Sequence, residues 1–453
     1  MGNTLGAFRF MTRGNQSYAP DREEDFAEKN IGVPCRVVTG NKVAQNVVAN
    51  IGNILTREEF SFGIAVPRRD FTGGVCPSNV TTGKTHEKYK RFMLEVLSKA
   101  SGEIPVLIAK SVLSNISQWG SAPRDFELKM MAVVADTLIP SIFGQSTPFE
   151  AEEIDLYASG VIEPTAPVLK QLSRMNLDKE RQALSSIVAK VKTSERYQQL
   201  LDLGKSHGLT EEETTGQLLF TAFFNGIAGT TVNIVGSFAR LASISGEDRE
   251  ELREEALAAL KKHGGLTPEA LGEMPKVESF VLESLRANPS ALIWGFVAPR
   301  PTTLKYTAKS GEREVEIKEG ELVLASSYWV LRDPAVFDKP EDFVWRRFLG
   351  PEGEARRQDH VVFMGRLNDT PAPSNYMCPG KDAALSLLKG SVAIFNTFFG
   401  WELQEPPVWT GTKFLRSAMP DNEVKIKKFW VQHPEDLKDI FPSHADDILN
   451  ALV

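Results

Sequence analysis

The sequence predicts a mainly α-helical protein with a small β-rich lobe near the N-terminus. From His86 onward, apolar residues recur at helical spacing, as in 86–100 and 179–203. A further helix beginning at Thr210 is apolar nearly all round, so we expect it to run through the interior. The earlier segment 32–80 is rich in Val, Gly and Pro and indicates short strands and loops.

The interior helix carries its own start signal, because Thr210 is a good N-cap and Glu213 completes a capping box. The pattern also predicts helices over 125–139, 246–263, 268–287 and 382–398, and strands over 304–323 around a turn at 318–320. We therefore expect one mixed domain over 32–432. It is flanked by an N-terminal extension, 1–31, and a C-terminal tail, 433–453.

Composition excludes several classes of protein. Hydrophobic residues make up 42% of the 453 and charged residues 25%, an ordinary globular balance. A net charge of −7 disfavours a nucleic-acid partner, because phosphate binding needs a concentrated basic surface. The cysteines Cys35, Cys76 and Cys378 are odd in number and far apart, so we expect no disulfide framework and a reducing compartment.

Membrane insertion is not expected either. No stretch approaches the roughly 20 apolar residues needed to cross a bilayer, and residues 1–15 lack an apolar signal core. Gly6 stands where a myristoylation signal would have Ser or Thr. We expect a cytoplasmic location or one peripheral to a membrane, and contact with a membrane surface stays open.

The centre of the interior helix holds residues that suit a helix poorly, namely Asn225, Gly226, Gly229 and Thr230. Interior glycines each cost about 1 kcal/mol relative to Ala. We infer that something needs space at this point of the helix.

Cys378 stands immediately before the last predicted helix. A lone cysteine is more often a small buried hydrophobe than a ligand. However, Gly380 permits close approach of a flat ligand, and the helix N-terminus favours a thiolate. The preceding loop, with Pro371, Pro373 and Asn375, has the character of a ligand cradle. A thiolate so placed suits haem iron, with Gly380 and Asn375 as further cofactor contacts.

Three motifs in this order resemble those of cytochromes P450: ExxR at 283–286, FVWRRF at 343–348 and CPG at 378–380. The resemblance implies the cytochrome P450 fold and a haem b held by the Cys378 thiolate. It also implies that Glu283, Arg286 and Arg347 form a buried structural triad. Taken alone, the first two would be an exposed ion pair of little energetic value.

Over most of 71–429 the chain is similar to one branch of that family, the plant allene oxide synthases and hydroperoxide lyases. The similar segments are 85–91 (THEKYKR), 210–229, 264–286, 347–362 (RFLGPEGEARRQDHVV) and the long loop to NYMCPGKD at 375–382. Departures are Trp345 and Arg346, where the wider family often has Pro and Glu, and the IAGTT run after Asn225. These departures concern the product rather than the fold.

The resemblance implies an enzyme that rearranges polyunsaturated fatty-acid hydroperoxides without dioxygen or a redox partner. In oxygen-activating relatives the interior helix carries an acid followed by Thr, but the matching positions here are Thr231 and Val232. The best prediction is a hydroperoxide dehydratase, an allene oxide synthase. Alternatives are an epoxyalcohol synthase, a hydroperoxide lyase, a reductase-dependent monooxygenase and a non-catalytic haem-based lipid binder.

The same resemblance assigns roles to individual residues. Asn225 would bond the hydroperoxide and Phe71 would lie near the substrate, which favours the dehydratase; the alternatives are a structural amide and ordinary core packing. His86 and Lys88 would face a haem propionate, although an exposed side chain is the commoner state of a Lys. His360 is expected to be structural rather than catalytic.

Overall fold

The computed structural model describes residues 19, 26–30, 34–57, 65–164, 167–291, 293–308, 311–411 and 417–452. Over these residues the protein is mainly α-helical with small sheets, as predicted. The segment 1–15 discussed above lies outside the described residues.

Seventeen helices longer than three residues are found in the described part of the chain. They are α1 (Asn41–Ala49), α2 (Gly83–Ser101), α3 (Ile104–Ile116), α4 (Phe126–Phe143), α5 (Ala151–Val161), α6 (Pro167–Ser173), α7 (Asp178–Lys192), α8 (Tyr197–Ser206), α9 (Glu211–Leu241), α10 (Gly246–His263), α11 (Pro268–Gly272), α12 (Pro275–Ala287), α13 (Ser327–Val330), α14 (Gly350–Arg356), α15 (Lys381–Phe398), α16 (Pro434–Ile440) and α17 (Pro442–Ala451).

The strands of the described residues form four small sheets. They are β1 (Phe26–Asn30), β2 (Pro34–Val38), β3 (Ala65–Pro67), β4 (Ile162–Pro164), β5 (Ile293–Val297), β6 (Thr302–Ala308), β7 (Gly311–Ile317), β8 (Leu322–Ser326), β9 (Phe399–Leu403) and β10 (Ile426–Val431). The largest sheet has the order β1-β2-β8-β5, with β2 and β8 parallel. The β-rich lobe therefore combines N-terminal strands with strands from the middle of the chain.

Helix α9 runs through the middle of the molecule, packed against α4, α5, α12 and α15. The capping box is confirmed: the Thr210 side chain accepts from the Glu213 amide, and the Glu213 carboxylate accepts from the Thr210 amide. Contrary to the expectation from sequence, α9 is apolar and long enough to cross a membrane. However, 61% of its most apolar window is buried inside the protein, as in the core helix of a globular protein.

Two predicted single helices are each interrupted in the structure. Between α7 and α8, the amides of Glu195 and Arg196 donate to the carbonyls of Gln145 and Phe143, so tertiary bonds replace helical ones. Between α11 and α12, Pro275 opens a new helix, whose first free amides donate to a Glu255 carboxylate from α10. These partners are far away in sequence, which is why periodicity alone missed both breaks.

The C-terminal tail forms α16 and α17, which pack on α15 and α3 respectively. Leu437, Ala445 and Ile448 are buried there. The C-terminal tail is therefore a pair of helices packed on its own chain.

Candidate functional site

Cys378 lies at the end of a loop that leads directly into helix α15. Its amide donates to the Phe363 carbonyl at 2.8 Å, and Gly380 is the N-cap of the helix. Cys378 is neither fully buried nor fully exposed.

The surroundings of the Cys378 sulfur act on its ionisation in opposite directions. Burial raises the pKa of the Cys378 thiol above its ordinary value, while the Gly380 amide and the Lys90 ammonium lower it. A Cβ on Gly380 would lie 3.6 Å from Leu97 Cδ1 and 3.9 Å from the Cys378 sulfur, which is ordinary contact. Protein atoms therefore do not crowd Gly380 on the side of the Cys378 sulfur.

Asn375 organises the loop before Cys378. Its Oδ1 accepts from the amides of Ala372 (3.1 Å) and Met377 (3.2 Å), and its Nδ2 donates to the Thr370 carbonyl at 3.0 Å. Because both the oxygen and the nitrogen of its side-chain amide bond protein atoms, Asn375 shapes the loop, and direct contact with a cofactor stays a prediction.

Helix α2 presents His86 and Lys90 to this loop, and not Lys88. The Lys90 ammonium donates to the carbonyl and to Oδ1 of Asn375, the latter at 2.9 Å. Lys88 instead pairs with Glu213 of helix α9 at 2.9 Å. Residues four apart share a helix face whereas residues two apart do not, which explains the difference.

His86 bridges two backbone segments. Its Nδ1 lies 2.8 Å from the Ser78 carbonyl and its Nε2 lies 3.0 Å from the Asn375 carbonyl, while its ring stacks on Tyr376. Burial lowers the pKa of His86 below its ordinary value. The contact with a haem propionate that we predicted for His86 stays a prediction, because both ring nitrogens already face protein atoms.

Lys90 provides the clearest evidence on whether haem fits. Only 1% of its surface is exposed, and burial lowers the pKa of Lys90 to about 7. Within the described residues no carboxylate pairs with this ammonium. A buried cation needs a counter-ion, and the propionates of haem are carboxylates. Cys378 and Lys90 thus have the chemistry that haem requires, a thiol for the iron and a cation for a propionate.

Asn225 lies in the stretch Leu219–Ala228, where α9 is wound as a π-helix. Such π-helical turns are frequent at functional sites. Its neighbours Phe223 and Ile227 are fully buried, but Asn225 is exposed. In the part of the chain that the structure describes, its side-chain amide has no hydrogen-bond partner. Asn225 is thus a polar group on a core helix that is left available to a ligand.

The two glycines near Asn225, Gly226 and Gly229, differ in what a larger side chain would contact. A Cβ on Gly226 would come within 2.9 Å of the Thr221 carbonyl and 3.1 Å of Leu138, so this glycine permits the π-helical winding and the contact with α4. A Cβ on Gly229 would meet only the Phe224 carbonyl, at 3.5 Å. The space that the sequence indicated is therefore used partly by the helix itself.

Phe71 is fully buried in a short turn, Arg69–Phe71. Its ring lies so close to Gly160 of α5 that a Cβ there would be 2.3 Å from Phe71 Cε1. The Tyr157 hydroxyl donates to the Phe71 carbonyl at 3.3 Å. These contacts are those of a core residue, which was the alternative reading, and substrate contact by Phe71 stays a prediction.

The structure brings Glu283, Arg286 and Arg347 together in the core. The Glu283 carboxylate accepts from both nitrogens of one edge of Arg286, at 2.8 and 3.0 Å, and from Arg347 Nε at 3.0 Å. The remaining Arg286 donors bond the carbonyls of Leu331, Pro340 and Asp342. This cluster holds the segment before the Cys378 loop and touches no reacting group.

Two other buried polar side chains, His360 and Thr231, bond backbone carbonyls of the protein. His360 is fully buried and its Nε2 bonds the Leu282 carbonyl at 2.9 Å, a structural position. The Thr231 hydroxyl is fully buried and donates to the Ile227 carbonyl at 2.8 Å, so it is engaged in the helix backbone.

Sequence reasoning missed two buried lysines that hold the Cys378 loop, Lys90 and Lys381. The Lys381 ammonium donates to the carbonyls of Leu367 (3.0 Å) and Asp369 (2.8 Å). The helical spacing of Lys90 from His86 was the available signal for the first. The partners of Lys381 follow from the loop's tertiary path, so no comparable signal existed.

Comparison with known proteins extends these observations. A family model described as Cytochrome P450 matches residues 165–365. The chain is 25% identical over 400 residues to "Divinyl ether synthase CYP74M1" of Selaginella moellendorffii, and the alignment covers 83% of each chain. It is 30% identical over 222 residues to "Allene oxide synthase 2, chloroplastic" of Solanum lycopersicum, covering 48% of this chain and 41% of that protein.

The fold has a close match among solved structures. Retinoic acid bound cyanobacterial CYP120A1 superposes with a TM-score of 0.66 at 16% identity, covering 90% of this chain and 92% of that one. This likeness shows that the fold predicted from the sequence is correct.

Proposed function

We propose that this chain, which belongs to the cytochrome P450 superfamily, binds haem b through Cys378 and rearranges fatty-acid hydroperoxides without dioxygen or a reductase. The observation that carries the proposal is Asn225, an unpartnered amide exposed on a core helix. A hydroperoxide offers both an acceptor and a donor to such an amide. Its O–O bond is already reduced relative to dioxygen, so no delivered electrons are required.

The residues of the proposed site have different roles in binding haem and the hydroperoxide. Bound haem supplies a thiolate-ligated iron whose electron donation favours O–O cleavage. Cys378 would anchor the group, and the Lys90 ammonium would pair with a propionate. Asn225, exposed on α9, orients the hydroperoxide oxygens through its side-chain amide.

The first product we propose is an allene oxide, formed by a dehydratase. A divinyl ether is the second candidate, because the relative aligned over 83% of both chains is a divinyl ether synthase by its name. Both reactions remove water from the same hydroperoxide and differ in how the carbon skeleton rearranges. A cytoplasmic location and contact with a membrane surface remain predictions.

The test mixes purified ferric protein with each regioisomer of linoleate and linolenate hydroperoxide, without NADPH. Loss of conjugated-diene absorbance and identification of products follow. Ketols indicate an allene oxide, and divinyl ethers, epoxy alcohols or aldehydes indicate the sister activities. If no regioisomer is consumed while a reductase with NADPH supports hydroxylation, the chain is a monooxygenase. If neither reaction occurs, it is a haem-based binder.

Two variants connect the activity to the site. Asn225→Leu should keep the haem spectrum and lose about tenfold to a hundredfold in kcat, the worth of one or two hydrogen bonds to the reacting group. Cys378→Ser should lose the absorbance of thiolate-ligated haem. Full activity in Asn225→Leu would remove that residue from the reaction.

A further inference from the structure

Residues 76–81, here called the bridge segment, are clamped to helix α9 by one side chain. Gln217 is fully buried, its Oε1 accepts from the Ser78 amide and its Nε2 donates to the Cys76 carbonyl, both at 2.9 Å. One carboxamide thus pairs with an acceptor and a donor of the backbone, as a neighbouring strand would. Both functions of the Gln217 amide are used.

The chain just before the bridge segment lies in close contact with the same helix. A Cβ on Gly216 would lie 2.2 Å from the Thr72 carbonyl oxygen and 2.5 Å from Val75 Cγ2. Only glycine allows this approach. Gly216 and Gln217 are consecutive, so the same turn of α9 allows the close approach of the chain and forms hydrogen bonds with the bridge segment.

The other side of the bridge segment contacts the loop that carries Cys378. The Ser78 carbonyl lies 2.8 Å from His86 Nδ1, and His86 Nε2 lies 3.0 Å from the Asn375 carbonyl. The Tyr376 hydroxyl donates to the Thr81 carbonyl at 3.2 Å. A continuous set of short contacts therefore leads from α9 through the bridge segment to the Cys378 loop.

We propose that Gln217 is a positioning residue, which through the bridge segment sets helix α9, and with it Asn225, relative to the loop of Cys378. The inference rests on the proposed function, because Asn225 and Cys378 are the two groups it aligns. Their alignment matters because a misplacement of about 1 Å in a reacting pair can cost about a hundredfold in rate.

Two substitutions separate the bonds of the clamp. Gln217→Glu keeps an acceptor for the Ser78 amide and, in its ionised form, has no donor for the Cys76 carbonyl. Gln217→Met has a similar length and removes both bonds. Asn396→Leu is the matched control, because Asn396 is a buried carboxamide that joins α15 to Arg249 of α10, through bonds of 2.8 and 3.1 Å.

Amide hydrogen exchange at single-residue resolution on the haem-loaded protein reads the coupling without any hydroperoxide. In Gln217→Met the Ser78 amide should exchange about tenfold faster, as expected for a buried amide that loses its acceptor. The Met377 amide, which donates to Asn375 Oδ1, should also exchange several-fold faster. Gln217→Glu should retain protection at Ser78, and Asn396→Leu should change neither amide.

The proposal is overturned if Met377 keeps its protection when Ser78 loses it, because Gln217 then holds only a local loop. Unchanged exchange at Ser78 overturns it as well. For an active enzyme, Gln217→Met should lower kcat about tenfold or more with little change in KM, and shift the product ratio. Asn396→Leu should lower stability alone. A wild-type protein that consumes no hydroperoxide would refute the proposed function and leave the exchange result to decide the coupling.

Discussion

Replacing Glu283 with Gln is expected to lower the free energy of unfolding more than the replacement of any one charged side chain at the surface. The Glu283 carboxylate receives four hydrogen bonds: two from Arg286, one from Arg347 and one from the Val344 amide. Glu283 and Arg286 are fully buried and Arg347 is 5% exposed. The substitution keeps the shape of the side chain and removes the negative charge that both guanidinium groups face.

The size of the effect follows from that burial. Removing one partner of a buried ion pair costs about 3–5 kcal/mol, because the remaining charge has neither water nor a counter-ion. The Gln oxygen still accepts some of the four bonds, so we expect the lower end, about 3 kcal/mol. That is a large part of the 5–15 kcal/mol that ordinarily stabilises a folded protein.

The adjacent Arg346 provides the matched control. Its guanidinium is 47% exposed and pairs with Asp248, at 2.6 Å, and with Glu251. Exposed pairs contribute about 0–1 kcal/mol, so Arg346→Gln should change stability by less than about 1 kcal/mol. Urea unfolding followed by circular dichroism and tryptophan fluorescence measures both variants. If Glu283→Gln and Arg346→Gln differ by less than about 1 kcal/mol, the reasoning from burial is refuted.

Other residues give further expected outcomes. Burial lowers the pKa of His360 to about 4, so between pH 6.5 and 4 the unfolded chain binds a proton that the folded one does not. Stability should fall in that window by up to about 3 kcal/mol, and urea unfolding of His360→Gln should lack this loss; an identical pH dependence would contradict it. Gly160→Ala places a Cβ 2.3 Å from the Phe71 ring and should cost about 1–3 kcal/mol in thermal unfolding. An unchanged product ratio in that variant would remove Phe71 from the substrate contacts. Lys90→Met should release haem to apomyoglobin about tenfold faster by loss of a charge-assisted bond, whereas Lys99→Met, exposed on the same helix, should release it at the wild-type rate.

Local sequence determined the ends of those helices that carry their own caps. Thr210 and Glu213 cap α9 with bonds that span three residues, and such short-range signals are complete within a few positions of the chain. Helix α10 has the predicted bounds for the same reason, with Ser245 accepting from the Asp248 amide. The motif residues Glu283, Arg286 and Cys378 were also identified from sequence, because their order along the chain resembles that of a known family.

Tertiary structure decided which side chains meet across the site. Lys90 rather than Lys88 reaches the Cys378 loop, since Lys88 is taken by Glu213 from a helix more than a hundred residues away. Phe71 is packed against Gly160, a contact that no local pattern encodes. Local patterns depend on neighbours in sequence, whereas a buried amide or ammonium takes its partner from whichever backbone the fold brings within about 3 Å.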